Sequence, residues 1–346
     1  MKKTALITGI TGQDGYYLSK LLLDKKYKVF GIVRRTSELF CSTRLKEIET
    51  KINLRYGDLT DKSSLSTYIN DIIDTHPEFN VLEIYNLGAQ SHVAISFTLP
   101  NYTTEVDGVG VLNLLEIVRH LKQDIRKKVK FYQAGTSELF GKVLETPQSE
   151  TTPFNPVSPY AAAKQYGYQI TKIYREGYDI FAVNGILFNH ESPRRGPNFV
   201  TMKIVNGIND IVAGKKECIY LGNIYSKRDW GHAEDYVNGM WLMMQNKKPK
   251  DYVLATGETY TVKHFVERAF SYKGLNISWS GDGLNEIGKD QYNVTRVKIS
   301  EKFYRPCEVD LLLGNPNKAE TELKWTRKFN TLNKLIKDMF DNNIYN

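Results

Sequence analysis

The chain has 346 residues, of which 41% are hydrophobic and 25% charged, with a formal net charge of +8. That apolar content builds real cores and excludes a disordered chain, and the length fits one large or two moderate domains. The basic residues are scattered apart from Arg126-Lys127-Lys128 and Lys247-Lys248, short clusters that read as solvated surface, so a nucleic-acid binder with a basic stripe is excluded.

Taken in chain order, 4–8 is a short apolar strand, 16–23 has helical spacing, and Lys28–Val33 is strand-like again. Asn53–Tyr56 reads as a short strand stopping at Gly57-Asp58. Residues 63–73 read as a helix, 83–86 as a strand stopping at Leu87-Gly88, and 106–121 as a long helix with one apolar face. A strand over 128–134 stops at Gly135, a helix covers 161–174, and a strand follows at Phe181–Leu187. This alternation predicts an α/β, Rossmann-type doubly wound parallel sheet with helices on both faces. After about residue 188 the pattern loosens around Pro193, Pro197 and several glycines. Helices are expected at 202–213, Ala233–Gln245, Val262–Tyr272 and 332–342, and a strand at 252–255 that returns to the main sheet. The expected division is a dinucleotide-binding domain over 1–187, with a returning segment near 230–257, and a smaller, mostly C-terminal α/β substrate region interleaved over 188–346.

Cys41, Cys218 and Cys307 are odd in number and far apart. They set neither a metal-ligand spacing nor a disulfide framework, which fits a reducing compartment. The N-terminal apolar run breaks at Gly9 and is too short for a signal peptide, and no stretch approaches the ~18 apolar residues of a membrane span. A soluble, cytoplasmic protein with no membrane contact and no metal is expected.

The first strand runs into Thr8-Gly9-Ile10-Thr11-Gly12-Gln13-Asp14-Gly15 and then a helix. Glycines at 9, 12 and 15 let the backbone turn tightly and approach a pyrophosphate, and the helix start offers free N–H groups to the phosphates. The strand before and the helix after give the triplet the context of a dinucleotide fingerprint. An acid at the end of the second strand would bind a ribose 2′-OH, whereas arginine accepts a 2′-phosphate. Here Arg34 and Arg35 stand there without an acid, which favours NADP. Asp58-Leu59 is placed to reach the adenine, and Leu87-Gly88-Ala89-Gln90-Ser91 to lie beside the pyrophosphate and inner ribose.

Tyr160 and Lys164 are i and i+4 on a helix and share one face. A nearby cation stabilises phenolate, so the tyrosine can take a proton from an alcohol as hydride leaves its carbon. Thr136-Ser137-Glu138 follows the fifth strand, where a hydroxyl commonly bonds the reacting alcohol. Glu138 is unusual there: a carboxylate beside a hydride-transfer site can remove a proton alpha to a new ketone. His190 follows a strand end, where cofactor contact is expected. Asn189 can bond a phosphate, and Arg195 can hold one bidentately.

These residues resemble the extended short-chain dehydrogenase/reductases and, within them, the GDP-mannose 4,6-dehydratase family. The matching stretches are 9–15, 31–35, 56–61, 85–93, 136–141, 158–164, 188–196, 222–236 and 305–313. The runs 189–196 and 227–231 are specific to that family rather than to the wider fold. The resemblance implies a hydro-lyase that oxidises C4 of GDP-mannose transiently, loses water across C5–C6 and returns hydride to C6, regenerating NADP. It implies Tyr160 as base at the 4-OH, Glu138 at the C5 proton, Thr136 orienting the sugar oxygen and Lys164 holding the nicotinamide ribose. Tyr102 joins the cofactor set. Ser91, Asn189, Lys203, Gly222, Lys227, Arg228, Arg305 and Glu308 form the substrate set. A homodimer or homotetramer is implied, with departures at Pro197, Met202 and 38–42 bearing on the contacts between subunits. A nucleotide-sugar 4-epimerase and a bifunctional dehydratase/4-reductase are the alternative enzymes. A cofactor-sensing regulator would commonly lack the tyrosine.

Overall fold

The computed structural model describes residues 3–36, 44–304 and 307–345. Seven parallel strands form the main sheet: β1 (Lys3–Thr8), β2 (Lys28–Val33), β3 (Asn53–Tyr56), β4 (Val81–Asn86), β5 (Val129–Ala134), β6 (Phe181–Leu187) and β7 (Tyr252–Leu254). Their spatial order is β7-β6-β5-β4-β1-β2-β3. The order therefore reverses between β1 and β4, and in such sheets ligands bind outside the carboxyl ends of the strands at that point. The glycine turn follows β1, Leu87-Gly88 follows β4, and Thr136 lies just after β5, so the expected site segments converge on this edge.

The main helices are α1 (Gln13–Asp24), α2 (Lys62–Thr75), α3 (Gly110–His120), α4 (Pro159–Tyr178), α5 (Val200–Val212), α6 (Ala233–Gln245), α7 (Val262–Tyr272) and α8 (Leu332–Asp341). Side-chain alternation along β1 decides the layers. Ala5 and Ile7 pack with Tyr16, Leu18 and Leu22 of α1 and Met240, Met243 and Met244 of α6. Leu6 points the other way, to Leu65 and Ile69 of α2 and Leu114, Leu115 and Val118 of α3. Each wholly buried leucine of this kind contributes roughly 1.5–3 kcal/mol.

A second core lies between α5, α7 and α8 and a four-stranded mixed sheet of Ser278–Ser280, Ile287–Lys289, Thr295–Ile299 and Ile219–Leu221. None of these strands stands out in the sequence, because each has at most five residues and several are polar, which leaves no period of two to read. Met202 is wholly buried in this core, so an apolar side chain suits that departure. The departures at 38–42, and Cys41, lie outside the described residues. Cys218 and Cys307 are free.

The long helix expected over 106–121 is divided. Glu105–Val109 forms a π-helical turn and α3 begins at Gly110. Gly108 and Gly110 are weak helix formers, and Gly110 approaches another segment closely: a Cβ there would sit 2.8 Å from the Leu59 Cβ. Helix α4 starts two residues before its expected boundary, because the Ser158 hydroxyl accepts from the Ala161 N–H (3.1 Å) and Pro159 takes the first position.

Candidate active site

The glycine turn is held at the sheet edge by a chain of polar contacts. Thr8 Oγ1 donates to Asn86 Oδ1 (2.6 Å) and accepts from the Gly88 N–H (2.9 Å), and Asn86 Nδ2 donates to Gln133 Oε1 (2.8 Å). Gly9 adopts a φ of +65°, and a Cβ there would meet the Gly88 nitrogen at 2.7 Å. A Cβ on Gly15 would lie 2.3 Å from the Ile10 carbonyl oxygen. Gly12 caps α1 without a side-chain bond, so no capping side chain occupies the first N–H groups of the helix, which suits a diphosphate. This cradle, which Cβ atoms would fill, fits a dinucleotide.

Tyr160 and Lys164 lie on the first turns of α4, both less than a tenth exposed. Lys164 Nζ donates to the Ala134 carbonyl oxygen (3.2 Å) and stands 5.8 Å from the centre of the Tyr160 ring. Burial holds the Tyr160 phenol far above its usual range, and the charges of Asp107 and Glu138 add to this, while a bond from Thr136 opposes it. Burial lowers the pKa of Lys164, and Asp107 works against that fall. Thr136 starts the short turn Ser137–Phe140, its hydroxyl accepting from the Glu138 N–H (3.2 Å). Thr136, Glu138, Tyr160 and Lys164 are thus brought together at the end of β5.

Asp107 was not singled out from sequence. It sits in the π-helical turn, wholly buried, with Oδ1 accepting from the Gln90 N–H (2.7 Å) and Oδ2 without a partner. Burial raises its pKa to about 6, against the pull of Lys164. The only sequence signal was an acid within an apolar helical run. Arg44 is a second addition. It donates to the Arg194 carbonyl (2.8 Å), the Thr11 carbonyl (3.3 Å) and the Tyr345 hydroxyl (2.7 Å), tying the glycine turn to two distant segments.

On the substrate side, Asn189–Glu191 pairs with Trp230–His232, and Lys227–Arg228 with Tyr260–Thr261. Asn189 Oδ1 is buried without a partner, a group aimed at something the chain does not supply. Arg228 lies 3.4 Å from Glu308. Lys203 Nζ sits 3.1 Å from the centre of the Phe303 ring, and burial and Lys302 lower its pKa to about 8. A Cβ on Gly222 would press on the Phe303 carbonyl at 2.5 Å. Lys227 is exposed, and Arg305 lies outside the described residues.

On the cofactor side, Arg34 and Arg35 are exposed just after β2; Arg34 bonds the Tyr102 hydroxyl, and Arg35 lies 5.7 Å from the Tyr56 ring centre. Leu59 is buried, and Ser91 is exposed next to half-buried Leu87, Gly88, Ala89 and Gln90. Asp58 Oδ1 is used within its own turn, accepting from the N–H and hydroxyl of Thr60 (both 2.9 Å). Ile10 is wholly in the core, so it offers the site only backbone. Gln13 bonds the His190 carbonyl and Ser192, and His190 has protein partners at both ring nitrogens. Arg195 pairs with Glu191 at 3.1 Å over the face of Phe199. Among the described residues no group of three or more His, Cys, Asp or Glu side chains could hold a metal ion, and no helix is long and apolar enough to cross a membrane.

Solved structures share this architecture. A UDP-glucose 4-epimerase of Thermus thermophilus in complex with NAD superposes with a TM-score of 0.77 at 21% identity, covering 99% of each chain. A dTDP-glucose 4,6-dehydratase of Bacillus anthracis in complex with NAD gives 0.78 at 20%, covering 99% of this chain and 97% of that one. In sequence, the GDP-mannose 4,6 dehydratase of Dictyostelium discoideum is 53% identical over 348 residues, spanning 98% of this chain and 95% of its own length. The human protein of the same name is 52% identical over 347 residues, spanning 98% and 90%. The family model described as GDP-mannose 4,6 dehydratase matches residues 6–339. With that match over residues 6–339 and relatives more than half identical over nearly its whole length, the chain belongs to the GDP-mannose 4,6-dehydratase family.

Proposed function

We propose that this chain converts GDP-mannose to GDP-4-keto-6-deoxy-mannose, and that its cofactor is NADP. The observation that carries the reading is the burial of Glu138 beside Thr136 and Tyr160, close enough for its charge to act on the phenol. A simple dehydrogenase or 4-epimerase has no use for a carboxylate there.

The glycine turn and the start of α1 would hold the diphosphate of the cofactor, Lys164 its inner ribose, and Arg34 and Arg35 its 2′-phosphate. The bound cofactor would supply the acceptor for the C4 hydride and the donor that returns it to C6. Tyr160 Oη receives the proton of the 4-OH. Burial, Asp107 and Glu138 all oppose the phenolate, so Lys164 supplies the positive charge that makes it accessible. Thr136 orients the sugar oxygen. With a ketone at C4 the C5 proton is acidic, and Glu138 removes it and passes it to the departing C6 hydroxyl, which leaves as water; after hydride return to C6, a proton from solvent restores C5. Such a general base contributes about 10²–10⁴-fold. Asn189, Lys203, Gly222, Arg228 and Glu308 line the path of the GDP moiety, where Arg228 suits the diphosphate and Glu308 a nucleoside donor group.

The test is to supply GDP-mannose and weigh the product. A product lighter by one water, carrying a 4-ketone, supports the reading. An isomer of unchanged mass identifies a 4-epimerase instead. Stoichiometric consumption of added NADPH reveals a further 4-reductase activity.

A further inference from the structure

His190 is buried at the junction between the glycine turn and the strand Asn189–Glu191. Its Nδ1 lies 2.8 Å from the Phe188 carbonyl oxygen, which can only accept, so Nδ1 carries a hydrogen. Its Nε2 lies 2.8 Å from Asp14 Oδ2, in the first turn of α1. A carboxylate facing a bare ring nitrogen would set lone pair against lone pair. Both ring nitrogens therefore donate, and the ring is an imidazolium.

The surroundings fit that state. Burial disfavours both charges, yet each partner outweighs it: Asp14 is held below the usual carboxylate range and His190 above the usual imidazole range. The ring stacks on Tyr236 at 4.6 Å. The same segments are joined by Gln13 Nε2 donating to the His190 carbonyl (2.9 Å) and by Ser192 Oγ donating to Gln13 Oε1 (2.7 Å). The other titratable groups facing the pair are Arg195, which acts on both members, Tyr236 from α6 and Tyr132 from β5. Burial holds both phenols far above the neutral range. Glu191 is occupied by Arg195 and by Thr201.

Asp14 is an anion in the turn that receives a diphosphate. Uncompensated, it would repel that ligand and cancel part of the favourable field at the start of α1. We propose that Asp14 and His190 form an ionic clasp that neutralises Asp14 for dinucleotide binding and positions the glycine turn against the substrate-side strand, so that affinity for the dinucleotide falls when His190 loses its proton. The clasp rests on the reading of the glycine turn as a dinucleotide site.

The test is equilibrium binding of NADP⁺ to the whole protein, followed calorimetrically from pH 6 to pH 10 for wild type, His190→Gln, Asp14→Asn and the double variant. Wild-type affinity should hold at neutral pH and weaken on the alkaline side. His190→Gln should bind about tenfold more weakly at neutral pH, with the alkaline weakening gone, because Asp14 is then bare. Adding Asp14→Asn to that background should restore most of the loss, which a purely structural role would not do. Asp14→Asn alone is isosteric and should bind with flat pH dependence, so it decides the matter if His190→Gln does not fold. Single losses that simply add, or an alkaline weakening that persists in His190→Gln or Asp14→Asn, overturn the clasp. A wild type that binds with no alkaline weakening overturns it too. A wild type that binds no dinucleotide at any pH refutes instead the underlying reading of the site.

Discussion

Lys164 Nζ stands 5.8 Å from the centre of the Tyr160 ring, pinned by a bond to the Ala134 carbonyl, while wholly buried Asp107 acts on both residues from the π-helical turn. The three form one electrostatic unit. Asp107 raises the pKa of Lys164 and of Tyr160 alike, so it keeps the lysine charged while making the phenolate harder to form.

Replacing Asp107 by Asn removes that anion while keeping an acceptor for the Gln90 N–H. Lys164, already lowered by burial, then lacks the anion that favours its charged form and should lose its proton at a lower pH. The alkaline limb of kcat/KM should move to lower pH. The wild-type Asp107 itself takes up a proton near pH 6, so the two proteins should converge below that pH. A pH–rate profile on GDP-mannose checks both limbs, and coincident alkaline limbs would disprove the coupling.

Tyr160→Phe deletes only the hydroxyl of a buried ring, so the fold should lose less than about 1.5 kcal/mol. Turnover should fall by about 10²–10⁴-fold through loss of the proton acceptor, with dinucleotide affinity kept within a few-fold. Initial rates and a binding titration on the same preparation separate the two effects. Weakened dinucleotide binding with near-normal turnover would make Tyr160 a binding residue instead.

The parts of this molecule legible in sequence are those set by local pattern. Three of the main strands announce themselves as short apolar runs ending at Gly9, Gly88 and Gly135, because a buried parallel strand needs no polar face and a ligand-facing turn needs glycine, whereas the exposed edge strand Asn53–Tyr56 is marked chiefly by the turn at Gly57. Tyr160 and Lys164 are legible because i and i+4 share a helix face. What pattern does not carry is long-range partnership. Asp107 reads as one polar residue in an apolar helix until Lys164 is placed opposite it. Gln13 and His190 read as cofactor contacts, and nothing in their local sequence tells that their side chains also bond each other's segments, 177 positions apart. The four short strands of the second sheet are stabilised by the packing of α5, α7 and α8, not by their own composition.

Gly9→Ala tests the turn itself. The substitution combines a φ of +65° with a Cβ 2.7 Å from the Gly88 nitrogen, and the three nearest atoms are all backbone. The combined cost should be about 2–4 kcal/mol, read as a fall in the denaturation midpoint at unchanged slope. Gly214→Ala shares a positive φ but meets nothing within 4 Å, so it should lose only the conformational part, about 1–2 kcal/mol. Equal losses at the two positions would show that strain, not close approach, sets the requirement at Gly9.

Arg34 and Arg35 are exposed just after β2, in the stretch 31–37 that holds no acid. Charge-assisted bonds to a phosphate are worth about 1.5–3 kcal/mol each. Replacing both by alanine should therefore weaken NADP⁺ binding by about 10²-fold or more, and leave NAD⁺ binding within a few-fold, since NAD lacks the 2′-phosphate. Competition titrations with the two dinucleotides give the ratio directly. An equal loss for both would place the arginines against another part of the ligand.

Glu138→Gln is the test that separates dehydration from simple oxidation. Glu138 is buried in the turn Ser137–Phe140 and held through its backbone by Thr136, and Gln keeps its size and that bond while losing its basicity. Tyr160, Lys164 and Thr136 are untouched, so proton removal from the 4-OH and oxidation at C4 should continue. Proton removal from C5 should not. The deoxy product should form about 10²–10⁴-fold more slowly. In deuterated solvent the wild type should place one deuterium at C5 of its product, because the proton Glu138 removes exchanges before C5 is reprotonated. The variant should instead form a 4-keto hexose with its C6 hydroxyl and C5 hydrogen intact, up to one equivalent per bound NADP⁺, with NADPH left on the enzyme. A variant that yields the deoxy product at the wild-type rate would move the base to another residue, and with it the distinction between this site and that of an epimerase.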